Sequence, residues 1–111
     1  MAFTATLETI GDIAKITVSG ELDANTAPDL KAKIEEAVKQ HPKRLVFIME
    51  ELEYMASAGL RMLIFAKQQM GAVDIYIVGA QENVLDTIQK TGFDQSVYLL
   101  DKYDAEKIET V

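Results

Sequence analysis

A chain of 111 residues, 49% hydrophobic and 26% charged, has the length and balance of one compact domain spanning residues 1–111. It contains no cysteine, which excludes disulfides, thiolate catalysis and cysteine-ligated zinc and fits a reducing, cytoplasmic compartment. Eighteen acidic against eleven basic residues leave a net charge of −7, which opposes binding to nucleic acid or to an anionic membrane.

The N-terminal stretch MAFTATLETIG lacks the basic patch and apolar run of a signal peptide, and no segment approaches the ~20 apolar residues of a membrane span. Phe3 to Thr9 and Ile13 to Ser19 are short β-prone runs and predict an antiparallel hairpin. Gly20-Glu21-Leu22-Asp23 then leads as a loop into a helix with apolar residues at Ala27, Leu30, Ile34 and Val38. Thr26 is its expected N-cap, and Pro28 lies in the first turn, where it forfeits no helical bond. His41-Pro42 ends the helix, because the residue before proline is driven away from the helical region.

Arg44 to Met49, RLVFIM, predicts a strand covered on both faces, and Glu50, Glu51 and Glu53 read as a solvated turn beyond it. A helix from Ser57 to Met70 stops at Gly71, Val73 to Gly79 is a buried strand, and Gln81 to Thr91 is a helix ending at Gly92. Ser96 to Leu100 is a short last strand. Asp101 to Val111 is a polar terminal helix with Tyr103, Ile108 and Val111 available for docking. Such alternation predicts an α/β fold: a mostly parallel, mixed sheet of about five strands with an N-terminal hairpin, layered by about four helices.

The chemistry available is sparse. His41 is the sole histidine and falls in an exposed turn, so neither a serine triad nor a histidine-based metal site can be assembled. Neither GxGxxG nor GxxxxGK[ST] occurs, leaving no phosphate cradle. We therefore expect no catalytic residues, metal, cofactor or small-molecule substrate; a small α/β enzyme or nucleotide binder is the minor alternative.

The Ser57 helix carries the strongest functional signal. At about 100° per residue, Leu60, Leu63, Ile64 and Met70 face the sheet, with Lys67 near the helix end on the same arc. Ser57, Arg61, Phe65, Gln68 and Gln69 face away, with Ala58 and Met62 on the flanks. Phe65 and Met62 fit either lateral packing against another helix or a docking patch. Ser57 fits two compatible roles, an N-cap or a phosphoacceptor whose added charge of about −1.5 to −2 meets the helix N-terminus and Arg61.

Gly20-Glu21-Leu22-Asp23, the block from Leu45 to Leu63, Ile75 to Gly79 and Thr91-Gly92-Phe93 occur in an order that resembles the STAS domain of the anti-sigma factor antagonist type, over nearly the whole chain. The resemblance implies that Ser57 is phosphorylated by a partner that is both anti-sigma factor and serine kinase and supplies ATP, with a serine phosphatase as second partner. The unmodified form would bind the anti-sigma factor and the phosphorylated form release it. The implied docking surface comprises Asp23, Ala24, Asn25, Thr26, Ala56, Ala58, Gly59, Arg61, Met62 and Phe65. Two positions depart from the usual family pattern: Ala56 stands for the aspartate before the serine, and Ile48 for an aspartate at the end of the preceding strand. They motivate the alternative of a non-phosphorylated STAS scaffold or interaction module. The family's transporter branch is disfavoured by the lack of a membrane span.

Overall fold

The computed structural model describes residues 2–109. Alternating apolar residues set β1 (Thr4–Ile10) antiparallel to β2 (Ile13–Leu22) across the turn at Gly11, whose φ of 58° is readily adopted only without a side chain. The next strands, β3 (Arg44–Met55), β4 (Asp74–Val78) and β5 (Tyr98–Leu100), each pair parallel with the one before, giving the order β1-β2-β3-β4-β5. Crossovers between parallel strands are right-handed, so a sheet growing steadily in one direction places every connecting helix on one face. These are α1 (Ala27–Lys39), α2 (Ser57–Gln69) and α3 (Glu82–Lys90).

The core lies between that face and the sheet, where Ile16, Leu45, Phe47, Met49, Ile75 and Ile77 meet Leu30, Ile34, Leu63 and Ile88. The opposite face carries a smaller cluster of Ile13, Val46, Tyr76 and Val78 under Ile108 of the short helix α4 (Ala105–Glu109). Arg44 fixes α4 by donating from Nη1 to the carbonyls of Lys107 and Ile108 at 2.6 and 2.8 Å. The Tyr103 hydroxyl donates to the Glu109 carboxylate at 2.5 Å, and burial, followed by that bond and the Glu109 charge, pushes the phenol up to about 12.

Several boundaries differ from the sequence expectation. The main difference is that β2 runs on to Leu22 and β3 to Met55, so the GELD segment and the glutamate trio are largely strand, not loop or turn. Their pairing, Ser19 with Glu51, Gly20 with Leu52, Glu21 with Tyr54 and Leu22 with Met55, contains register shifts typical of bulges. Gly20 is needed there: its φ is 86°, and a Cβ would collide with the Ala2 carbonyl. β4 stops where Val78 meets Ile48, so β2 and β3 continue as a two-stranded ribbon. Side chains at the start of α3 bond to β3 beyond this point, Gln81 Nε2 to the Glu50 carbonyl at 3.0 Å and Asn83 Nδ2 to that of Glu53 at 2.8 Å.

In α1 the buried position near the end is Ala37, with Val38 only half-buried. In α2 Gly59, Leu60, Leu63 and Ala66 are buried and Ile64 is 36% exposed, so the helix is rotated from the expected wheel. A 3₁₀ turn over Phe93–Ser96 shortens the last strand, and α4 starts only at Ala105. Val111, expected to dock, lies outside the described residues.

Candidate functional site

The β2–β3 ribbon delivers two helix N-termini to one place. Leu22 pairs with Met55, and the Ala56 N–H donates to the Leu22 carbonyl at 2.8 Å, so the segments entering α1 and α2 leave the ribbon side by side.

The approach to α1 is closed by its own side chains. The Asp23 carboxylate accepts from the Asn25 and Thr26 N–H groups at 2.9 and 3.1 Å, and the Asp23 carbonyl accepts from Ala27 N–H at 2.8 Å. Thr26 is not the expected side-chain cap. Its Oγ1 accepts from the Asp23 N–H at 2.9 Å and donates to the Glu21 carbonyl at 3.0 Å, so the hydroxyl ties the loop back to β2 instead of bonding into the helix. Asp23 and Thr26 are thus half-buried in loop bonding, while Ala24 and Asn25 are exposed.

The start of α2 is open. Ala56 occupies the N-cap position with φ −81° and ψ 171°, a conformation suited to a capping side chain, but its methyl group offers no acceptor. Its carbonyl accepts from Gly59 and Leu60 N–H at 2.9 and 3.2 Å. Ser57 is therefore the first helical residue and not the cap. It is exposed, and its hydroxyl has no hydrogen-bond partner among the described residues. The N–H groups of Ser57 and Ala58 are those that helix geometry leaves without an intrahelical acceptor. The first turn of α2 also contains no acidic residue.

Gly59 lies on the buried side of α2, out of reach of a docking partner. A Cβ there would stand 2.6 Å from Leu22 Cγ and 2.9 Å from Met55 Cγ, so its lack of a side chain lets α2 close onto the ribbon. Ile48 is also displaced from its expected place. It pairs with Thr17 and Val78 in mid-strand, packs with the α4-side cluster, and precedes Met55 by seven residues of extended chain, on the order of 20 Å. A carboxylate at position 48 would not adjoin Ser57.

A shallow groove of about 340 Å³ separates the two termini. Ala24, Ala27, Pro28 and Lys31 line one wall, and Ala58, Arg61 and Met62 the other. Of the expected docking residues, Ala24, Ala58, Arg61 and Met62 come together here. Phe65 is half-buried against the core, with the Lys31 ammonium 5.3 Å from its ring centroid, which favours lateral packing for that side chain. Ala27, Pro28 and Lys31 were missed by sequence reasoning. Ala27 and Lys31 are four residues apart on α1, a spacing that points to a shared helix face but not to what that face meets.

A wider hollow of about 580 Å³ lies against Gln81, Glu82, Asn83 and Asp86, where the Gln81 and Asn83 amides already hold β3. Among the described residues no group of three or more His, Asp or Glu side chains is arranged to hold a metal ion, and no helix is long and apolar enough to cross a membrane.

Comparison with known proteins agrees with this fold. The chain is 27% identical over 99 residues to the anti-sigma-F factor antagonist RsfB of Mycobacterium tuberculosis, covering 88% of this chain and 81% of RsfB. An anti-sigma factor antagonist from Mycobacterium paratuberculosis superposes with a TM-score of 0.89 at 26% identity, over 97% of this chain and 95% of that one. Bacillus SpoIIAA shares the fold in its unphosphorylated form, at TM-score 0.76 and 22% identity over 96% of both chains. Its phosphorylated form gives 0.72 and 19% over 94% and 95%. The STAS domain profile matches residues 4–107, which takes in all five strands, the ribbon and both helix N-termini. The chain belongs to the STAS domain family.

Proposed function

We propose that this chain is a cytoplasmic anti-sigma factor antagonist, a non-catalytic module that binds an anti-sigma factor with serine kinase activity while Ser57 is unmodified and releases it once Ser57 is phosphorylated. A serine phosphatase would restore the binding form. The observation that carries this reading is the Ser57 hydroxyl, exposed, without a hydrogen-bond partner among the described residues, and borne by the residue just before Ala58 of the groove wall. Support also comes from the names of RsfB and the M. paratuberculosis protein.

In the transfer step the partner supplies ATP. The Ser57 oxygen bonds to the γ-phosphorus as the bridging P–O bond breaks, the hydroxyl proton passes to a base of the kinase, and ADP leaves. In the free chain the new dianion sits at the N-terminus of α2, where unpaired N–H groups and the helix dipole favour negative charge. In the complex the same dianion would be desolvated against groups arranged for a neutral hydroxyl. The switch is this difference, and each ~1.4 kcal/mol of it changes affinity tenfold.

Incubation with ATP and the anti-sigma kinase encoded in the same genome, followed by mass spectrometry, should give one phosphate on Ser57 and none in Ser57→Ala. Phosphate elsewhere, or retained in Ser57→Ala, overturns the assignment. The absence of a carboxylate at Ala56 and throughout the first turn of α2 favours a second reading, a STAS scaffold that binds through the same groove without modification. That reading requires no phosphate uptake and equal affinity before and after kinase treatment.

A further inference from the structure

The lining of the groove between α1 and α2 includes two cations, Lys31 and Arg61, and no carboxylate, in a chain of net charge −7. Elsewhere Lys33, Lys43 and Lys90 lie 3.6, 3.8 and 2.9 Å from Glu36, Asp12 and Asp86, while Lys39, Lys67, Lys102 and Lys107 have no ion pair among the described residues. Among the described residues Arg61 has neither an ion pair nor a hydrogen bond, and Lys31 meets only the face of Phe65. Cations left unpaired beside the apolar surface of Ala24, Ala27, Pro28, Ala58 and Met62 are complementary to a helix whose apolar face is flanked by carboxylates. Arg61 also follows Ser57 by four residues on α2, which makes the two side chains neighbours one turn apart, with about 6 Å between their Cβ atoms.

We propose that Arg61 serves two anions in turn: a carboxylate on an apolar docking helix of the partner while Ser57 is unmodified, and the phosphate itself once Ser57 is phosphorylated. The proposal rests on the reading of Ser57 as the phosphorylated residue. Phosphorylation then acts on the groove twice. It adds a charge of about −1.5 to −2 at the rim, and it withdraws the guanidinium that the partner's carboxylate requires. Lys31, on the opposite wall, meets a second carboxylate of the same helix.

Phosphoserine inserted at position 57 during translation makes the first half testable without a kinase. Phosphorus NMR reads the second ionisation of the phosphate, ordinarily at about pH 6. Pairing with a cation favours the dianion, so this ionisation should fall at lower pH in the native background than in Arg61→Gln, by roughly half a unit or more, with Arg61→Lys between them. Equal values in the native and Arg61→Gln chains overturn the capture, because the N-terminus of α2 is common to both.

For the second half, the affinity of the anti-sigma factor for the unphosphorylated chain is measured as a function of salt. Arg61→Gln and Lys31→Gln should each weaken binding about tenfold and flatten its salt dependence, whereas Met62→Ala should weaken it with the slope retained. Native affinity and slope in both charge variants overturn the acidic partner helix. If the native chain does not bind the anti-sigma factor at all, the functional reading falls and the docking half with it. The phosphorus titration needs no partner and still decides whether Arg61 captures the phosphate.

Discussion

The starts of α1 and α2 emerge from the same ribbon, yet they are finished in opposite ways. Before α1, Asp23 and Thr26 spend their side-chain oxygens on the loop's own backbone. Before α2, the position suited to a cap holds Ala56, and the next side chain, Ser57, points a free hydroxyl at solvent. The first arrangement stabilises the fold and leaves little for chemistry. The second gives up about 1 kcal/mol of capping and keeps an oxygen and unpaired N–H groups available to something outside the chain. Of the two hydroxyls at these termini, those of Thr26 and Ser57, only that of Ser57 is without a hydrogen-bond partner among the described residues.

Substitutions can break or sharpen this contrast. Leu22→Ala should have the largest effect, a loss of about 2–5 kcal/mol in denaturant unfolding, because the fully buried Leu22 fills the space against α2 where both termini leave the ribbon. Asp23→Ala should cost about 1–2 kcal/mol by freeing the Asn25 and Thr26 N–H groups. Ala56→Asp should close the second terminus as the first is closed, and raise stability by about 0.5–1 kcal/mol, since the backbone at position 56 already has capping geometry. Ser57→Ala should change stability by less than about 0.5 kcal/mol, as no internal bond is lost. A loss in Ser57→Ala equal to that in Asp23→Ala would remove the distinction between the two termini.

Much of this was legible before the structure. Period-two and period-three-to-four patterns located the hairpin, the three connecting helices and the buried strands, and together they implied the sheet. Three features were not legible, each for a physical reason. The glutamates 50, 51 and 53 looked like a turn because local polarity does not reveal that Leu52 among them and Met55 just beyond are buried where β3 pairs with β2, on the other side of α1 in the chain. The wheel for α2 was turned toward Ile64 because Gly59 and Ala66, where the helix is buried, carry little hydrophobic signal in proportion to their importance. Thr26 and Ser57 looked like caps because a hydroxyl before or at a helix start usually is one. Which way each hydroxyl turns depends on the ribbon carbonyls and N–H groups beside it. Within the site, the α2 wall of the groove was anticipated from spacing, but of the α1 wall only Ala24 was, since two helices must meet before a groove exists.

The serial strand order has a kinetic consequence. Every strand hydrogen-bonds to the strand that precedes it in the chain, and the crossovers from Leu22 to Arg44, Met55 to Asp74 and Val78 to Tyr98 are of similar length. No pairing waits for a distant segment, so the loop-closure entropy of each step is moderate and a nascent chain can add strands in the order they are made. On this topology the ribbon that sets the two helix termini needs only residues up to the start of α2. The corner of the molecule that carries Ser57 can be in register before the far edge of the sheet has been synthesised.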